Sequence, residues 1–345
     1  MIKAAYIGIR TAGTTSRLRS DALQRALPAA WVMIDTDVPF RSAARIWRSL
    51  AFRFRFGPAV QAMNRYVRQR LPAEKYDLIW VDKGVCLSPA TIRCLRACSK
   101  CLVYYTPDTS FLHNRSRFFD KTAGLYDLVV TTKSLEAERF QSLIGSQRLL
   151  LTTQSYDNTL HYPRVPFSQK RPEAVFIGLC EPDREDCVQA LLQAEVPVRV
   201  GGVGWDFFLQ RNQRNPLLTF AGHAVFGEAY ARTLSAASVG LGLLTRRFPE
   251  LHTTRTFEIP ACGTVLATER TTETARFFNS RQALFFTDYQ QLGRQISELL
   301  QNPVELQQIA AAGQDAVVAG GYDNDSMVRQ VLQRCGLVQS ADQQR

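Results

Sequence analysis

Short apolar runs alternate with amphipathic stretches along the first half of the chain. KAAYIGI (3–9) predicts a strand, and the polar-apolar spacing of SRLRSDALQRAL after it predicts a helix. Strands are likewise predicted at AWVMID (30–35), YDLIWVD (76–82), CLVYYTP (101–107), LYDLVVTT (125–132) and LLLTTQ (149–154). Helical periodicity fills the gaps, at PATIRCLRAC (89–98) and at SLEAERFQSL, where Ser134 is an expected N-cap. Continuous apolar strands separated by helices predict parallel sheets with crossover helices.

Residues 155–172, SYDNTLHYPRVPFSQKRP, interrupt this rhythm with three prolines and predict an interdomain linker. The alternation restarts with strands at EAVFIGL (173–179), VPVRVGG (196–202), SVGLGLL (238–244) and ALFF (283–286). Helices are expected at DREDCVQALLQ, FGEAYARTLSAA and QQLGRQISELLQ, and a last one at DNDSMVRQVLQRCGL before a frayed tail, SADQQR. The expected fold class is α/β, with two Rossmann-like domains facing across a cleft. The first spans 1–160, the second 172–320, and 321–345 form the final helix and tail. A length of 345 residues suits two cores better than one.

The formal charge of +11 is concentrated. Residues 41–70 hold eight arginines and no lysine or acid, leaving +3 for the other 315 residues. Trp47, Leu50, Phe52, Phe54 and Phe56 are interleaved with those arginines, in one or two helices broken near Gly57-Pro58. Such a segment suits an anionic membrane surface or a lipid-linked acceptor. The alternatives are a solvated helical hairpin with its aromatics turned to the core, and a nucleic-acid contact, the least favoured of the three. No run of about 18 apolar residues predicts a transmembrane helix, and the N-terminus reads as a strand rather than a signal sequence. The expected location is the cytoplasm, peripheral to the inner membrane face. Most of the eight cysteines sit in apolar surroundings and are expected to be reduced and buried. Cys94, Cys98 and Cys101 have partial zinc-ligand spacing without a second pair, so a helix running into a strand is the favoured reading there.

Candidate chemistry gathers at strand ends, where α/β sheets bind ligands. In 250–268, ELHTTRTFEIPACGTVLAT, Glu250 and Glu258 stand eight positions apart. Glu258 is expected on a short helix, where a carboxylate can accept hydrogen bonds from a sugar or ribose diol. Arg184, Arg246, Arg247 and Arg255 are available to neutralise a diphosphate. Gly178, and Gly204 in GGVGWDF, lie in turns after strands and are donor-binding candidates. The loop after the first strand offers Gly13, Thr14, Thr15 and Ser16, in a spacing that fits neither dinucleotide nor ATP motifs. Asp108 ends the fourth strand as a candidate general base for an acceptor hydroxyl. Lys83 ends the third, and His113 and His252 are further proton-transfer candidates. Asp35 and Asp37 form a DxD triplet, a frequent chance pattern, and no metal is assigned to it.

Several of these segments resemble one family, the CgeB-like glycosyltransferases. RTFEIPACGTVLATERTTETARFF (255–278) resembles their nucleotide-binding segment. VFIGLCEPDRED (175–186) resembles the opening of their second domain. YDLIWVDKG, LVYYTPDT and TTSRLRSDAL resemble first-domain strand ends and the first loop. The resemblance implies a GT-B fold, with the donor on the second domain and the acceptor on the first. It implies that Glu258 binds the donor ribose and that Glu250, by spacing, lies beside the sugar. The glycine-rich backbone usual between those glutamates is missing here, so His252, Thr253, Thr254 and Arg255, with Arg184, are expected to hold the diphosphate. The expected activity is metal- and cofactor-independent transfer of a sugar from a nucleotide-diphosphate donor to a hydroxyl on a polysaccharide, lipid-linked or protein glycan acceptor. The alternatives are a nucleotide-sugar epimerase of GT-B fold and a non-catalytic binding protein.

Overall fold

A computed structural model describes residues 1–112 and 114–339. His113 and the tail 340–345 lie outside the described residues. The chain divides into two compact units, 1–153 with 324–345, and 154–323.

The first unit carries β1 (Lys3–Gly8), α1 (Thr15–Ala26), β2 (Ala30–Asp35), α2 (Val38–Arg41), α3 (Arg45–Phe54), α4 (Pro58–Arg70) and β3 (Tyr76–Asp82). It continues with α5 (Pro89–Cys98), β4 (Ser99–Thr106), α6 (Arg117–Asp120), β5 (Leu128–Thr131), α7 (Ala137–Ile144) and β6 (Leu149–Leu151). All six strands are parallel, in the order β2-β1-β3-β4-β5-β6. Their side chains alternate between two buried faces, which is why they read as continuous apolar runs. Ala5, Ile7, Ile79, Val81, Leu102 and Tyr104 enter one core. Ala4, Tyr6, Leu78, Trp80, Val103 and Tyr105 enter the other.

The second unit carries β7 (Arg171–Ile177), α8 (Pro182–Gln193), β8 (Val198–Gly201), α9 (Asp206–Arg211), β9 (Leu218–Phe220), α10 (Gly227–Ala236) and β10 (Ala237–Leu241). It continues with α11 (Arg255–Ala261), β11 (Val265–Glu269), α12 (Thr274–Phe277), β12 (Leu284–Phe286), α13 (Tyr289–Leu300) and α14 (Pro303–Ala319). Its sheet is also parallel, ordered β9-β8-β7-β10-β11-β12, the doubly wound Rossmann arrangement. The last helix, α15 (Asn324–Arg334), belongs to the first unit, where Met327, Val328, Val331 and Leu332 complete the second core.

Two expectations need correction. The segment 155–172 is part of the second unit rather than a free linker. Ser155, Tyr156, Asp157 and His161 are buried, and Tyr156 bridges to Asp323. The cysteines are all free, as expected, but only Cys187 and Cys262 are fully buried, and Cys94 is exposed. Of the readings open for the basic segment, the alternative with its aromatics turned to the core does not hold: α3 buries only Ala51 completely, and Phe52 and Phe56 are 75% and 70% exposed. The break near Gly57 is real, built from left-handed backbone at Arg55 (φ 54°) followed by Gly57 (φ 109°). α5 runs directly into β4 at Cys98–Ser99, so the cysteine spacing there is a helix end meeting a strand.

Candidate active site

In the order β9-β8-β7-β10-β11-β12 the connections reverse direction between β7 and β10, and ligands of doubly wound sheets bind at that switch point. The turn after β7 begins with Gly178, whose N–H donates to Gly201 O and whose carbonyl accepts from Trp205 Nε1 at 3.0 Å. Gly202 sits at φ 113°, and a Cβ there would collide with Gly178 O. Gly204, at φ 94°, lies against Cys180. The glycine turns after β7 and β8 therefore interlock by backbone contact, and they leave room for arginine. A Cβ on Gly178 would come within 2.8 Å of Arg255 Nη2.

Arg255 opens α11 and Arg184 lies in the first turn of α8. Both guanidinium carbons approach the Phe176 ring centroid to 5.3 Å. Arg184 donates to Leu179 O and pairs with Glu181 at 3.3 Å, yet its buried Nε has no partner. The buried Nε of Arg255 and Oγ1 of Thr253 also lack partners, and among the described residues no ion pair reaches Arg255. Burial, and then the neighbouring Arg255, push the Arg184 pKa below its ordinary value. Two cations stack on one ring, with Glu181, Glu250 and Glu269 acting on Arg184, and three polar atoms of Arg184, Arg255 and Thr253 have no protein partner. Buried polar groups in folded proteins are nearly always satisfied, so these atoms are candidates for hydrogen bonds to a bound molecule.

Glu258, one turn into α11, is buried. It accepts a hydrogen bond from Tyr230 OH at 2.7 Å, and His161 Nε2 lies 3.9 Å from its other oxygen. Burial, and then the Glu258 charge, raise the Tyr230 pKa well above the usual tyrosine value, so the phenol stays a donor. His161 Nδ1 accepts from Asp157 N–H, which leaves its proton on Nε2, facing Glu258. Sequence reasoning did not find Tyr230 or His161, which stand 28 and 97 positions before the carboxylate they orient.

His252 does not fit the phosphate role expected for it. It is buried, its Nε2 accepts from Gln154 N–H at 2.8 Å, and its Nδ1 is engaged by Glu273. Both ring nitrogens hold the loop in place. Thr254 precedes α11, and its carbonyl accepts from Phe257 and Glu258 N–H.

Glu250 and a residue not anticipated, Glu269, line a pocket of about 500 Å³ with Arg246 and Arg247. Glu250 accepts from Thr245 N–H at 3.2 Å. Glu269 ends β11 and accepts from Leu244 N–H with both oxygens. Burial raises its pKa to about 7. The signal for it was a carboxylate at the end of the buried run TVLAT, the same kind of signal that had marked Asp108. A folded pKa above the unfolded value means stability that is full below about pH 4.5 and lost as pH rises through 7. Glu269→Gln is therefore expected to stabilise the protein at pH 8, by at most about 3 kcal/mol, and to match the parent near pH 4.5. Thermal unfolding across this range checks it, and a pH-independent difference would contradict the assignment.

In the first unit, Lys83 and Asp108 meet as an ion pair of 3.0 Å. The loop carrying Asp108 is anchored where Glu136 accepts from Ser110 and Phe111 N–H. Ser16 does not face a ligand: it is buried and donates to Asp82 at 2.8 Å. Thr14 caps α1 by accepting from Arg17 N–H, Thr15 is the first residue of α1, and Gly13 supplies the left-handed turn before the cap at φ 80°. Asp35 and Asp37 are both within ion-pair reach of Arg41.

Residues 184–333 match the family model described as glycosyl transferase-like. No curated protein matches the chain in sequence. Among solved structures, the fold is similar to that of HepE from Anabaena, solved with UDP, at 13% identity and TM-score 0.67, over 98% of this chain and 100% of that one. It is similar to sucrose-phosphate synthase from Thermosynechococcus elongatus, at 14% identity and TM-score 0.67, over 96% and 98%. It is similar to a glycosyltransferase from Rickettsia africae, at 7% identity and TM-score 0.65, over 99% of each chain. Residues 184–333 are thus similar to a glycosyl transferase-like family, and the two units have the GT-B fold of these glycosyltransferase structures.

Proposed function

We propose that the protein transfers a sugar from a nucleotide-diphosphate donor to a hydroxyl acceptor, with the donor held at the β7/β10 switch point. The observation that carries this reading is the arginine pair Arg184 and Arg255 stacked on Phe176, with their buried Nε atoms and Thr253 Oγ1 unpartnered by protein. A leaving diphosphate needs cations placed where its charge develops, and two guanidiniums supply them without a divalent ion. Glu258, steadied by Tyr230, has an oxygen available to the ribose hydroxyls. Glu250 lies on the neighbouring loop, suited to the sugar. HepE was solved with UDP, which favours a uridine diphosphate donor here as well. The CgeB-like resemblance agrees with this donor assignment and marks a finer family for the chain. The test is a thermal-shift panel of UDP-, GDP-, dTDP- and CMP-sugars. One class should raise the melting temperature, because ligand at 100 times its dissociation constant adds about 2.7 kcal/mol of stability. No shift with any of them would favour the non-catalytic reading, and an isomerised donor formed without acceptor would favour the epimerase.

The acceptor in this proposal is a glycan or lipid-linked hydroxyl compound at the cytoplasmic membrane face. α3 supports it: Arg45, Arg48 and Arg53 are exposed beside Ile46, Phe52 and Phe54, and Phe56 follows. Each basic residue near an anionic bilayer contributes about 1 kcal/mol. Among the described residues no helix is long and apolar enough to cross a membrane. The protein should co-sediment with vesicles containing phosphatidylserine at low salt and be released at 1 M salt. Replacing Phe52, Phe54 and Phe56 with serine should abolish binding. Equal binding to neutral vesicles would exclude the electrostatic part.

A further inference from the structure

The first unit has a switch point of its own. In the order β2-β1-β3-β4-β5-β6 the connections reverse between β1 and β3, as in flavodoxin-like sheets. A pocket of about 330 Å³ opens at the carboxyl ends of these strands, within the range that holds small ligands. Its walls are mostly apolar: Ile7, Phe40, Phe52, Met63, Val85 and Leu87. α3 forms one side through Arg48, Ala51 and Phe52.

The charges at the pocket are unequal. Arg48, Arg55 and Lys83 line it, with Asp37 and Asp82. Both acids are already paired with arginines outside the lining, Asp82 with Arg19 at 2.8 Å and Asp37 with Arg41 at 3.6 Å. The three cations face one outside acid, Asp108 on Lys83. The backbone is strained at the same place. Among the described residues three non-glycines have positive φ, and two of them, Arg55 (54°) and Lys83 (52°), line this pocket. Left-handed backbone at such residues is retained where surrounding structure enforces it, typically at ligand sites.

We propose that this pocket binds an anionic amphiphile, an apolar chain or ring of small-ligand size carrying one phosphate or carboxylate that meets Arg48 and Arg55. Naming that ligand as the sugar acceptor rests on the glycosyltransferase reading above. The binding itself does not.

The test uses alkyl phosphates below their aggregation concentration, titrated calorimetrically into the full-length protein with no nucleotide present. Octyl phosphate should bind, and each methylene removed in the hexyl and butyl compounds should weaken binding about fourfold. Glycerol phosphate, an anion without an apolar body, should not bind measurably. Arg48→Glu, on the exposed surface of α3, should weaken octyl phosphate binding at least tenfold and leave the unfolding temperature unchanged. Cys86→Phe, which fills the pocket, should do the same to binding, with its fold checked by circular dichroism. UDP should not displace the probe. An affinity independent of chain length, an unaffected Arg48→Glu variant, or displacement by UDP would overturn the proposal. Displacement would place the probe in the donor site. A failed donor panel with intact octyl phosphate binding would instead remove only the acceptor assignment. Binding to phosphatidylserine vesicles without any binding of monomeric octyl phosphate would show a surface contact and no pocket ligand.

Discussion

Arg255→Met is expected to lower kcat/KM for sugar transfer by about two to three orders of magnitude, the usual cost of removing one preorganised charge-stabilising donor. Arg255 has no protein ion-pair partner among the described residues, and its Nε is buried without a hydrogen bond, so the substitution breaks no ion pair in the free protein. Its stacking against Phe176 and the shortness of the turn at Gly178 fix the guanidinium in place before any ligand arrives. The folded protein should be no less stable, because removing Arg255 relieves the repulsion it exerts on Arg184. Loss of donor-dependent thermal stabilisation should accompany the loss of turnover. Arg255→Lys keeps the charge but not the planar fork, and should recover only part of the activity. A methionine variant with parental turnover would remove the arginine pair from the mechanism. A variant that lost stability instead would mean Arg255 holds the loop and not a ligand.

The distribution of what the sequence revealed follows the range of the forces involved. Continuous apolar runs marked most strands because parallel strands are buried on both faces, and the period-two cores at Ala4–Tyr6 and Leu78–Trp80 bear this out. β9 is three residues long, at a sheet edge and only partly buried, and left no such trace. α14 leaves a weak apolar pattern because it is rich in alanine and glutamine. Its buried Leu306, Ile309, Ala310, Gly313 and Val317 do follow helical spacing. The return of α15 to the first unit depends on contacts across the whole chain length and has no local signature. The same division runs through the site. Arg255 and Glu258 share one short helix, and their residue types and spacing were readable. The clamp on His252 comes from Gln154 and Glu273, 98 and 21 positions away, and it reverses what the local motif suggested. Phe52, Phe54 and Phe56 suit a surface first and the core second in the local pattern, and their own exposure excludes the core.

Asp82→Ala is expected to cost about 3 to 5 kcal/mol of stability, the penalty for stranding one partner of a buried ion pair. Arg19 and Asp82 are 63 positions apart, and both are almost wholly buried. Arg19 Nε and Nη2 donate to the two carboxylate oxygens at 2.8 and 3.1 Å, and Ser16 Oγ adds a third bond. The guanidinium also lies 4.3 Å above the Tyr105 ring. Burial alone would raise the Asp82 pKa, but the Arg19 charge outweighs it and holds the carboxyl below its usual range. The stability this confers is therefore complete above the unfolded carboxylate value, about 4, and falls as pH drops through the folded value. At neutral pH the alanine variant leaves Arg19 charged and uncompensated, because a guanidinium does not deprotonate in this range. Arg19→Met combined with Asp82→Leu should recover most of the loss, because apolar replacement of a complete buried pair is often neutral. Denaturant unfolding of Arg19→Met, Asp82→Leu and the double variant gives the coupling directly, and a coupling below about 1 kcal/mol would show the pair to be incidental. Asp82 also forms part of the floor of the first-unit pocket, so the double variant separates its two roles. Stability should return, while a pocket floor without its carboxylate keeps Arg48, Arg55 and Lys83 and should hold octyl phosphate at least as tightly as the parent does.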